Sequence, residues 1–294
     1  MKEDVDLSIC IVTWNSENDI AECLSSIEHA KKNLNIEVFV ADNASSDNTA
    51  KIVSTSFPEI ILIQNSKNYG FAKANNQAIR RSSGRYVLLL NPDTRVRKCT
   101  FKDAIDYMEV RSKIGIVGCA ISNLDGSRQY SVRKFPSLTS QILILCKLHN
   151  FFPSLPPLKK YFALDFDYAK EQSVDQVMGA FMLIRRKCLE QVGLLDEKFW
   201  IWFEDVDYCK RAINLNWKVM YTPKFEIAHN QSQSFAKLWA VQEQRVFNKS
   251  LLYYIRKHRG NLSYRVLLIF VPISIILSTI VGIFEPKTSK IKVQ

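Results

Sequence analysis

The sequence predicts an α/β fold in which a mostly parallel central sheet is flanked by helices. Up to Asp93, four apolar, β-rich segments alternate with three segments whose apolar residues recur at helical spacing. Three of the four β-rich segments end at Thr13, Asp42 and Asp93. Since the carboxyl ends of parallel strands meet at one edge of a sheet, these polar ends are expected to line one crevice.

The predicted elements follow a regular order as far as Ile121. Strands are predicted at Leu7–Thr13, Ile36–Val40 and Ile60–Ile63, in the apolar run before Asn91, and at Ile114–Ile121. Helices are predicted from about Ile20 to Ile27, from the loop at Ala41–Thr49 to about Ser56, from Gly70 to Arg81 and from Phe101 to Met108. Further strands are predicted at Val177–Ile184 and Lys218–Tyr221, and Ala228–Ser234 is predicted to be a polar loop.

The composition indicates a globular protein made in a reducing compartment. The 294 residues are 47% hydrophobic and 23% charged, with nine glycines and nine prolines, which excludes a disordered chain. The seven cysteines form no CxxC pair, so neither a disulfide framework nor a zinc site is expected. The apolar run at 7–12 is too short for a signal peptide, so we expect the catalytic part to stay in the cytoplasm.

The net charge of +11 indicates an anionic partner, and the position of the basic residues favours a membrane. Arg256-Lys257-His258-Arg259 precedes an uncharged apolar segment, 266–284, whose helix of roughly 28 Å nearly matches a bilayer core of about 30 Å. A buried core helix is the alternative. We expect attachment to the cytoplasmic face of the membrane, by spanning it or by lying in its interface, and no nucleic-acid binding.

The end of the fourth strand is the candidate metal site. Asn91 and Asp93 place an amide and a carboxylate on a rigid turn at the end of a buried strand, and hard divalent cations bind such oxygens. The alternative for Asp93 is an N-cap of the helix predicted between Cys99 and Val110. His229 is a candidate third ligand, with a surface or core histidine as the alternative.

Polar residues after the other strands are candidates for nucleotide binding. Neither the G-x-G-x-x-G fingerprint nor a P-loop is present, so side chains and a metal ion would have to hold a nucleotide. Asp42 can accept hydrogen bonds from a ribose or base, unless it caps the next helix together with Asp47. The amides of Asn68, Asn75 and Asn76 either read a base or cap a helix.

A group of acids after an aromatic run is the candidate catalytic base. Glu204 and Asp205 begin a predicted helix directly after four large aromatic rings in the segment 199–203. The helix dipole favours acids in the first turn by about 0.3 to 1 kcal/mol each, which accounts for the acids but not for the rings. A pocket dried by aromatic rings raises a carboxylate pKa toward that of a general base, so we interpret these acids as catalytic.

Together these motifs resemble the family 2 glycosyltransferases, which are inverting enzymes of the GT-A fold. The likeness is greatest to the rhamnosyltransferase-like members that build cell-surface polysaccharides such as O-antigen, and it covers about residues 7–258. The segments that carry it are Ile11-Val12-Thr13-Trp14-Asn15, Ala41-Asp42-Asn43-Ala44-Ser45-Ser46-Asp47, Asn68-Tyr69-Gly70-Phe71 with Asn75-Asn76, Leu90-Asn91-Pro92-Asp93, Gly179-Ala180-Phe181-Met182, Leu195-Asp196-Glu197-Lys198-Phe199 with Glu204-Asp205-Val206-Asp207, and His229 with Ser234.

The resemblance assigns roles to individual residues. It implies that Thr13, Asp42 and Asn43 hold the nucleoside, and we also expect Asn15 to bind the nucleotide. It implies that Asn91 and Asp93 stand at the D-x-D position that binds Mg²⁺ or Mn²⁺, and that Asp205 is the base, with Glu204 as the next choice. Because Asn91 replaces the first acid of D-x-D, His229 is expected to supply more of the metal coordination.

The resemblance also implies a reaction. We expect a metal-dependent transfer of a sugar, with rhamnose from dTDP-rhamnose as the first choice, to a lipid-linked polyprenyl diphosphate or growing glycan acceptor. The alternative is a non-catalytic membrane-associated subunit that binds a nucleotide or glycan with the same fold. The expected division is a glycosyltransferase domain at 1–255 and a membrane region at 256–294. Residues 136–176 contain four prolines, and they are interpreted as an acceptor-side flap or a second membrane contact.

Overall fold

A computed structural model describes residues 4–230 and 240–284 of the chain, without the side chains of 240 and 281–284. The strands are β1 Leu7–Thr13, β2 Ile36–Asp42, β3 Ile61–Gln64, β4 Tyr86–Leu90, β5 Thr94–Val96, β6 Ile114–Ser122, β7 Val132–Arg133, β8 Gln172–Ser173, β9 Gln176–Val177, β10 Phe181–Arg185 and β11 Lys218–His229. The helices are α1 Ile20–Ala30, α2 Thr49–Ser56, α3 Phe71–Ile79, α4 Thr100–Glu109, α5 Leu138–Leu145, α6 Pro156–Tyr161, α7 Arg186–Val192, α8 Glu204–Asn214 and α9 Ala240–Phe284.

The central sheet is mixed, and its first half is parallel, as the sequence predicts. Its strand order is β3-β2-β1-β4-β10-β6-β11-β5, with β8 paired to β11. β1 pairs in parallel with β2 and β4, β2 pairs in parallel with β3, and β10 is antiparallel to β4. The carboxyl ends of β1, β2 and β4 therefore lie at one edge of the sheet, next to the amino end of β10.

Successive side chains of the buried strands point to opposite faces of this sheet. In β1, Leu7, Ile9 and Ile11 join one apolar cluster with residues of α1 and α4, whereas Cys10 joins a second cluster with residues of α3, α7 and α8. A buried layer on each face is the arrangement expected for parallel strands with continuous apolar sequences.

Two sequence predictions about local structure are wrong. Asp93 does not cap the next helix, because β5 lies between them and Cys99 occupies the N-cap of α4. The last strand does not end at Tyr221: β11 continues to His229 after a register shift between Thr222 and Glu226. The predicted loop therefore loses its first two residues to the strand, and its end, including Ser234, lies outside the described residues.

The C-terminal helix α9 is a hairpin and not a single rod. Gly260 interrupts it with a left-handed φ of 83°, a conformation that glycine adopts without a steric penalty. Asn248 Nδ2 donates to Ser274 Oγ at 2.8 Å, and Ser278 Oγ donates to Gln244 Oε1 at 3.0 Å. Gln244, near the start of the first half, pairs with Ser278, near the end of the second half, and Asn248 pairs with the earlier Ser274. The two halves therefore run in opposite directions. The predicted boundary at 255 falls inside the first half.

Residues 136–176 form a layer with this hairpin. Ser137 caps α5, accepting a hydrogen bond from Ser140 N at 3.1 Å. Lys147 Nζ donates to Gln244 Oε1 at 2.5 Å, and Leu145 belongs to one apolar cluster with Leu251 and other residues of α8 and α9. The segment predicted to be irregular thus contains the short helices α5 and α6, and α5 packs against the C-terminal hairpin.

Part of the basic cluster before the apolar segment is used inside the protein. Lys257 Nζ and His258 Nε2 each lie 2.7 Å from Asp207 Oδ1, and Arg211 Nε lies 2.8 Å from Asp207 Oδ2. Burial opposes ionisation of Asp207, but the hydrogen bonds from His258, Lys257 and Arg211 outweigh it and hold the pKa of Asp207 below its ordinary value of 3.8. The expectation that this cluster faces the membrane is therefore wrong for Lys257 and His258.

Asp207→Asn is expected to lower the free energy of unfolding by about 3 kcal/mol, because it removes the buried carboxylate that three partly buried basic side chains share. Since the pKa of Asp207 is lowered by folding, its contribution is present above pH 3.8 and is lost as pH falls below that value. The variant should therefore lose less stability than the wild type on acidification. Urea unfolding at pH 7 and at pH 3 measures both effects.

The exposed pair Lys102–Asp106 provides the matched control. It has the same i,i+4 spacing as Asp207–Arg211 and a separation of 2.6 Å, but its side chains are 52% and 59% exposed. Asp106→Asn should change the stability by less than about 0.5 kcal/mol. Equal effects of the two substitutions would contradict the prediction.

Candidate active site

A cavity of about 410 Å³ opens at the carboxyl edge of the parallel strands. One wall comes from the ends of β1, β2, β4 and β11, and it includes Thr13, Asn43, Asp93 and His229. A second wall comes from the segment before α8 and from its first turn, and it includes Asp205. The candidate metal ligands and the candidate base therefore share one cavity.

On the first wall, Asp42 organises the loop that follows β2. Asp42 Oδ1 accepts hydrogen bonds from Thr13 Oγ1 at 2.8 Å and Ser45 Oγ at 2.5 Å, and Oδ2 accepts from Ser45 N at 3.0 Å. The cap for α2 comes from Asp47 instead, whose Oδ1 accepts from Thr49 N at 3.0 Å. Thr13 reaches the cavity, whereas Asp42 lies behind it and holds Thr13 in place.

Asn43 is buried and connects the loop after β2 to the glycine before α3. Its Nδ2 donates to Gly70 O at 3.2 Å, and its Oδ1 accepts from Asn65 Nδ2 at 3.0 Å. Asn68 also lines the cavity, and its Oδ1 accepts from Gly70 N at 2.9 Å. The predicted positions of Asn43 and Asn68 at the cavity are thus found in the structure.

Asn75, Asn76 and Asn15 are corrected to structural roles. Asn75 and Asn76 are 0% exposed inside α3, and neither lines the cavity. The Asn76 amide donates from Nδ2 to Leu195 O at 2.9 Å and accepts from Leu195 N at 3.0 Å, which anchors the segment before α8. Asn15 Oδ1 accepts from Ser46 N at 2.7 Å, so it braces the loop after β2.

His229 and Asp93 are brought together at the end of β4. His229 Nε2 lies 3.1 Å from Asp93 Oδ1 and 3.3 Å from Asn91 Nδ2. The Gln129 amide donates to Asn123 Oδ1 and to His229 O, which leaves its Oε1 to accept from His229 Nδ1 at 2.9 Å. The proton of a neutral imidazole is therefore on Nδ1, and the Nε2 lone pair faces the carboxylate.

This cluster fits a divalent cation. Asp93 Oδ1 is buried and accepts no hydrogen bond in the described part of the chain, and a lone pair on His229 Nε2 stands opposite it. A divalent cation between these two acceptor atoms removes their repulsion, as a proton on His229 would. The 3.1 Å distance also agrees with adjacent ligands of an octahedral ion, which lie about 3 Å apart when both bonds are about 2.1 Å. Asp93, His229 and the Asn91 amide would hold the metal.

The second wall depends on an unusual turn before α8. Trp202 and Phe203 both have left-handed φ values, 62° and 67°, which are costly for large side chains. Trp200, two residues before Trp202, accepts a hydrogen bond from Phe71 N at 2.7 Å through its carbonyl oxygen. A Cβ on Gly70 would lie only 2.2 Å from that oxygen, so this contact requires glycine. The turn points the first carboxylates of α8 into the cavity.

The two candidate acids differ in their surroundings. Asp205 is partly exposed to the cavity, and its oxygens accept from Gly179 N at 3.1 Å and Val206 N at 2.7 Å. Burial raises the pKa of Asp205, although these two backbone hydrogen bonds oppose the rise. Burial raises the pKa of Glu204 well above its ordinary value, and the charge of Asp205 adds to the rise. Glu204 Oε2 is buried without a hydrogen-bond partner in the described chain.

The sequence reasoning missed several residues of this cavity. Gln129, which orients His229, lies 100 residues away from it along the chain. The remaining residues come from the segment around the irregular insertion and from α9, and include Ser131, Arg133, Tyr161, Gln176 and Phe247. Only the pairing of β7 with β9 and the packing of α5 on α9 bring these residues to the cavity, and no local pattern signals either contact.

Comparison with known families identifies the class of protein. Residues 8–193 match the family described as glycosyl transferase family 2. This chain is a member of glycosyl transferase family 2. The matched range includes Asn91 and Asp93 and ends before α8, so it contains neither His229 nor the acids at positions 204 and 205.

Curated relatives of this glycosyltransferase act on glycans. It is 27% identical over 239 residues to the N-acetylglucosaminyl-diphospho-decaprenol L-rhamnosyltransferase of Mycobacterium tuberculosis, which covers 78% of this chain and 77% of that protein. It is 29% identical over 178 residues to the rhamnosyltransferase WbbL of Escherichia coli, which covers 57% of this chain and 64% of that protein.

Solved structures confirm the GT-A-like fold of the glycosyltransferase. The mannosyltransferase PcManGT from Pyrobaculum calidifontis, in complex with GDP-Man and Mn²⁺, superposes with a TM-score of 0.57 at 16% identity, over 95% of this chain and 74% of that one. GalNAc-T7 with UDP, GalNAc and Mn²⁺ superposes with a TM-score of 0.56 at 14% identity, over 78% of this chain and 44% of that one.

Asp93→Asn is expected to weaken Mn²⁺ binding at least about tenfold, because it removes the only carboxylate among the three candidate ligands. The concentration of free Mn²⁺, followed by electron paramagnetic resonance during titration of the purified protein, measures this directly. Asp103→Asn, an exposed acid in the first turn of α4, is the control and should leave Mn²⁺ binding unchanged. Equal Mn²⁺ affinity of the Asp93→Asn variant and the wild type would contradict the assignment.

Proposed function

We propose that this glycosyltransferase is a metal-dependent inverting enzyme that uses Asp205 as its base. The observation that carries the proposal is that Asp93 and Asp205 line the same cavity. A carboxylate on one wall stands where a donor diphosphate can be neutralised, and a carboxylate on the other stands where an acceptor hydroxyl can be deprotonated.

The donor would lie along the first wall. The nucleoside would contact Thr13, Asn43 and Asn68, whose side chains reach the cavity. Asp93, His229 and Asn91 would hold Mg²⁺ or Mn²⁺, which supplies charge neutralisation for the leaving diphosphate. The Mn²⁺ in the complexes of PcManGT and GalNAc-T7 supports a divalent ion on this fold.

The transfer would occur between the two walls. The acceptor oxygen forms a bond to the anomeric carbon, and the bond from that carbon to the diphosphate oxygen breaks with its electron pair going to the diphosphate. Asp205 takes the proton of the acceptor hydroxyl. Attack from the side opposite the leaving group inverts the anomeric configuration. The hydrogen bonds from Gly179 N and Val206 N orient the Asp205 carboxylate toward the cavity.

Glu204 would act as a neutral carboxylic acid. Because burial raises its pKa well above the ordinary value and Asp205 adds to the rise, we infer that Glu204 holds a proton while Asp205 carries the charge. The two acids thereby take different roles, in the order that the resemblance implies, with Asp205 as the base. The aromatic residues Trp200, Trp202 and Phe203 line the cavity next to them and limit the access of water.

The relatives suggest the substrates. The named activity of the Mycobacterium tuberculosis relative is rhamnosyl transfer to a diphospho-decaprenol-linked sugar, and the Escherichia coli relative is a rhamnosyltransferase. We propose a deoxyhexose such as rhamnose from dTDP-rhamnose as the donor sugar, and a polyprenyl diphosphate-linked sugar as the acceptor. A cell-surface polysaccharide such as O-antigen would be the product pathway.

Asp205→Asn should lower kcat by about 10² to 10⁴ while leaving donor binding nearly unchanged, because the variant lacks only the base. Glu204→Gln, which resembles a protonated glutamate, should retain activity to within about tenfold. Transfer from dTDP-rhamnose to a lipid-linked diphosphate sugar, monitored through the dTDP that is released, measures the activity of both variants.

The pH profile gives a second test. Because burial raises the pKa of Asp205, the acid limb of kcat/KM should have its midpoint above the ordinary value of 3.8.

Full activity of Asp205→Asn would exclude this residue as the base. A wild type that binds dTDP and the acceptor without releasing product would favour the non-catalytic subunit.

We propose that α9 attaches the enzyme to the membrane surface and does not span the bilayer. By length and composition alone, Val241–Ile280 could cross a membrane. However, the second half of the hairpin keeps Leu267, Ser274 and Ser278 buried against the protein, and exposes an apolar stripe on its other side. The stripe consists of Leu262, Ile269, Ile273, Ile276 and Ile280. A helix with one packed face and one exposed apolar face suits the membrane interface.

Ile269→Glu combined with Ile276→Glu should reduce binding to anionic vesicles by at least about tenfold, because each buried isoleucine contributes about 1.5 to 3 kcal/mol. These residues are 67% and 60% exposed, so the substitutions should not affect folding. The Ile269→Leu/Ile276→Leu protein is the control and should bind normally. Vesicle sedimentation measures the difference. Retention of the acidic variant on membranes after alkaline extraction would indicate a spanning helix.

A further inference from the structure

Arg133 is a cation in the active-site cavity that the proposed mechanism does not use. It ends β7, opposite Gln176 of β9, and both side chains line the cavity. Its guanidinium lies over the Phe162 ring, 5.4 Å from the centroid, which holds it from one side. Within residues 4–230 and 240–284, no carboxylate forms an ion pair with it.

Arg133 shares the cavity with the candidate base. Both Arg133 and Asp205 line it, and the positive charge of Arg133 opposes part of the rise that burial causes in the pKa of Asp205. The metal ligands Asp93 and His229 form a separate cluster at the end of β4. The donor diphosphate therefore has its own counter-charge, and Arg133 is a second cationic site near the base.

The surroundings of Arg133 are apolar on the side away from the sheet. Tyr161 of α6 and Phe247 of α9 line the cavity together with it. The segment that carries Tyr161 and the helix that carries Phe247 also expose large apolar residues, among them Phe151 at 75% and Ile269 at 67%. A ligand with an anionic group next to its sugar and an apolar chain after that group would match a cavity with Arg133 inside and apolar residues outside.

We propose that Arg133 binds a phosphate group of the acceptor, next to the sugar whose hydroxyl faces Asp205. This rests on the proposed glycosyl transfer to a lipid-linked acceptor and adds the residue that recognises its phosphate. The planar guanidinium can form two parallel hydrogen bonds to phosphate oxygens, which a neutral acceptor cannot receive.

The test compares two water-soluble probes that carry the same N-acetylglucosamine. One is linked through a diphosphate to a short isoprenyl chain, and the other is an uncharged alkyl glycoside. Quenching of tryptophan fluorescence measures binding of each probe without turnover, so the result does not depend on transfer activity. Arg133→Gln should weaken binding of the diphosphate probe about 10- to 100-fold and change binding of the neutral probe less than about threefold.

Two further variants control for charge and folding. Lys134→Gln removes the neighbouring charge, which faces Asp175 at 3.5 Å and not the cavity, and should leave both affinities unchanged. Arg133→Lys keeps the charge without the planar fork and should show a smaller loss than Arg133→Gln. If Arg133→Gln is unstable in thermal melts, Arg133→Lys is compared with the wild type instead. Equal affinity of these two proteins for the diphosphate probe would then contradict binding by the planar guanidinium.

Three results would overturn the proposal. The first is that the wild type and Arg133→Gln bind the diphosphate probe with equal affinity. The second is that Arg133→Gln loses as much affinity for the neutral probe as for the diphosphate probe. The third is that Arg133→Gln loses affinity for dTDP and not for the diphosphate probe, which would assign Arg133 to the donor. If the proposed transfer reaction is wrong but this proposal is right, binding of the diphosphate probe will depend on Arg133, and no dTDP will be released from dTDP-rhamnose.

Discussion

The contact between Gly70 and Trp200 is the constraint on which the active site depends. Phe71 N donates to Trp200 O at 2.7 Å, and only glycine fits beneath that carbonyl group. Gly70 belongs to the wall formed by the parallel strands, and Trp200 leads into the turn before α8. Asn76 reinforces the connection through its two hydrogen bonds to Leu195. The relative position of the metal ligands and the acids of α8 is therefore set by close packing between two segments that are distant in sequence.

Three buried acids, Asp207, Glu204 and Asp93, differ in their partners. Asp207 is surrounded by cations that lower its pKa, and it connects α8 to the C-terminal hairpin. Glu204, three residues earlier, lacks such partners, and its pKa is raised. Asp93 likewise keeps a buried oxygen without a hydrogen bond. An incomplete partner set costs stability, so its presence at these two positions agrees with groups that are completed by ligands.

The regions outside the common sheet meet at the cavity. Helix α5 of the insertion packs against α9, and Tyr161 and Phe247 from these two regions line the cavity. The exposed apolar stripe of α9 belongs to the same layer. This arrangement agrees with an enzyme that meets its acceptor at a membrane surface while its donor comes from the aqueous side.

The sequence by itself determined the parallel half of the sheet, the cavity edge, and the positions of Asp93 and Asp205, because strand and helix periodicity and the chemistry of strand ends are local properties. It also determined the family, which the match over residues 8–193 confirms. Only the tertiary structure decided that Asn76 anchors a loop, that Gln129 orients His229, and that Lys257 bonds to Asp207. These are contacts between residues from about 50 to 120 positions apart in the chain. Which side chain meets which at such separations depends on how the elements pack, and no local periodicity encodes it.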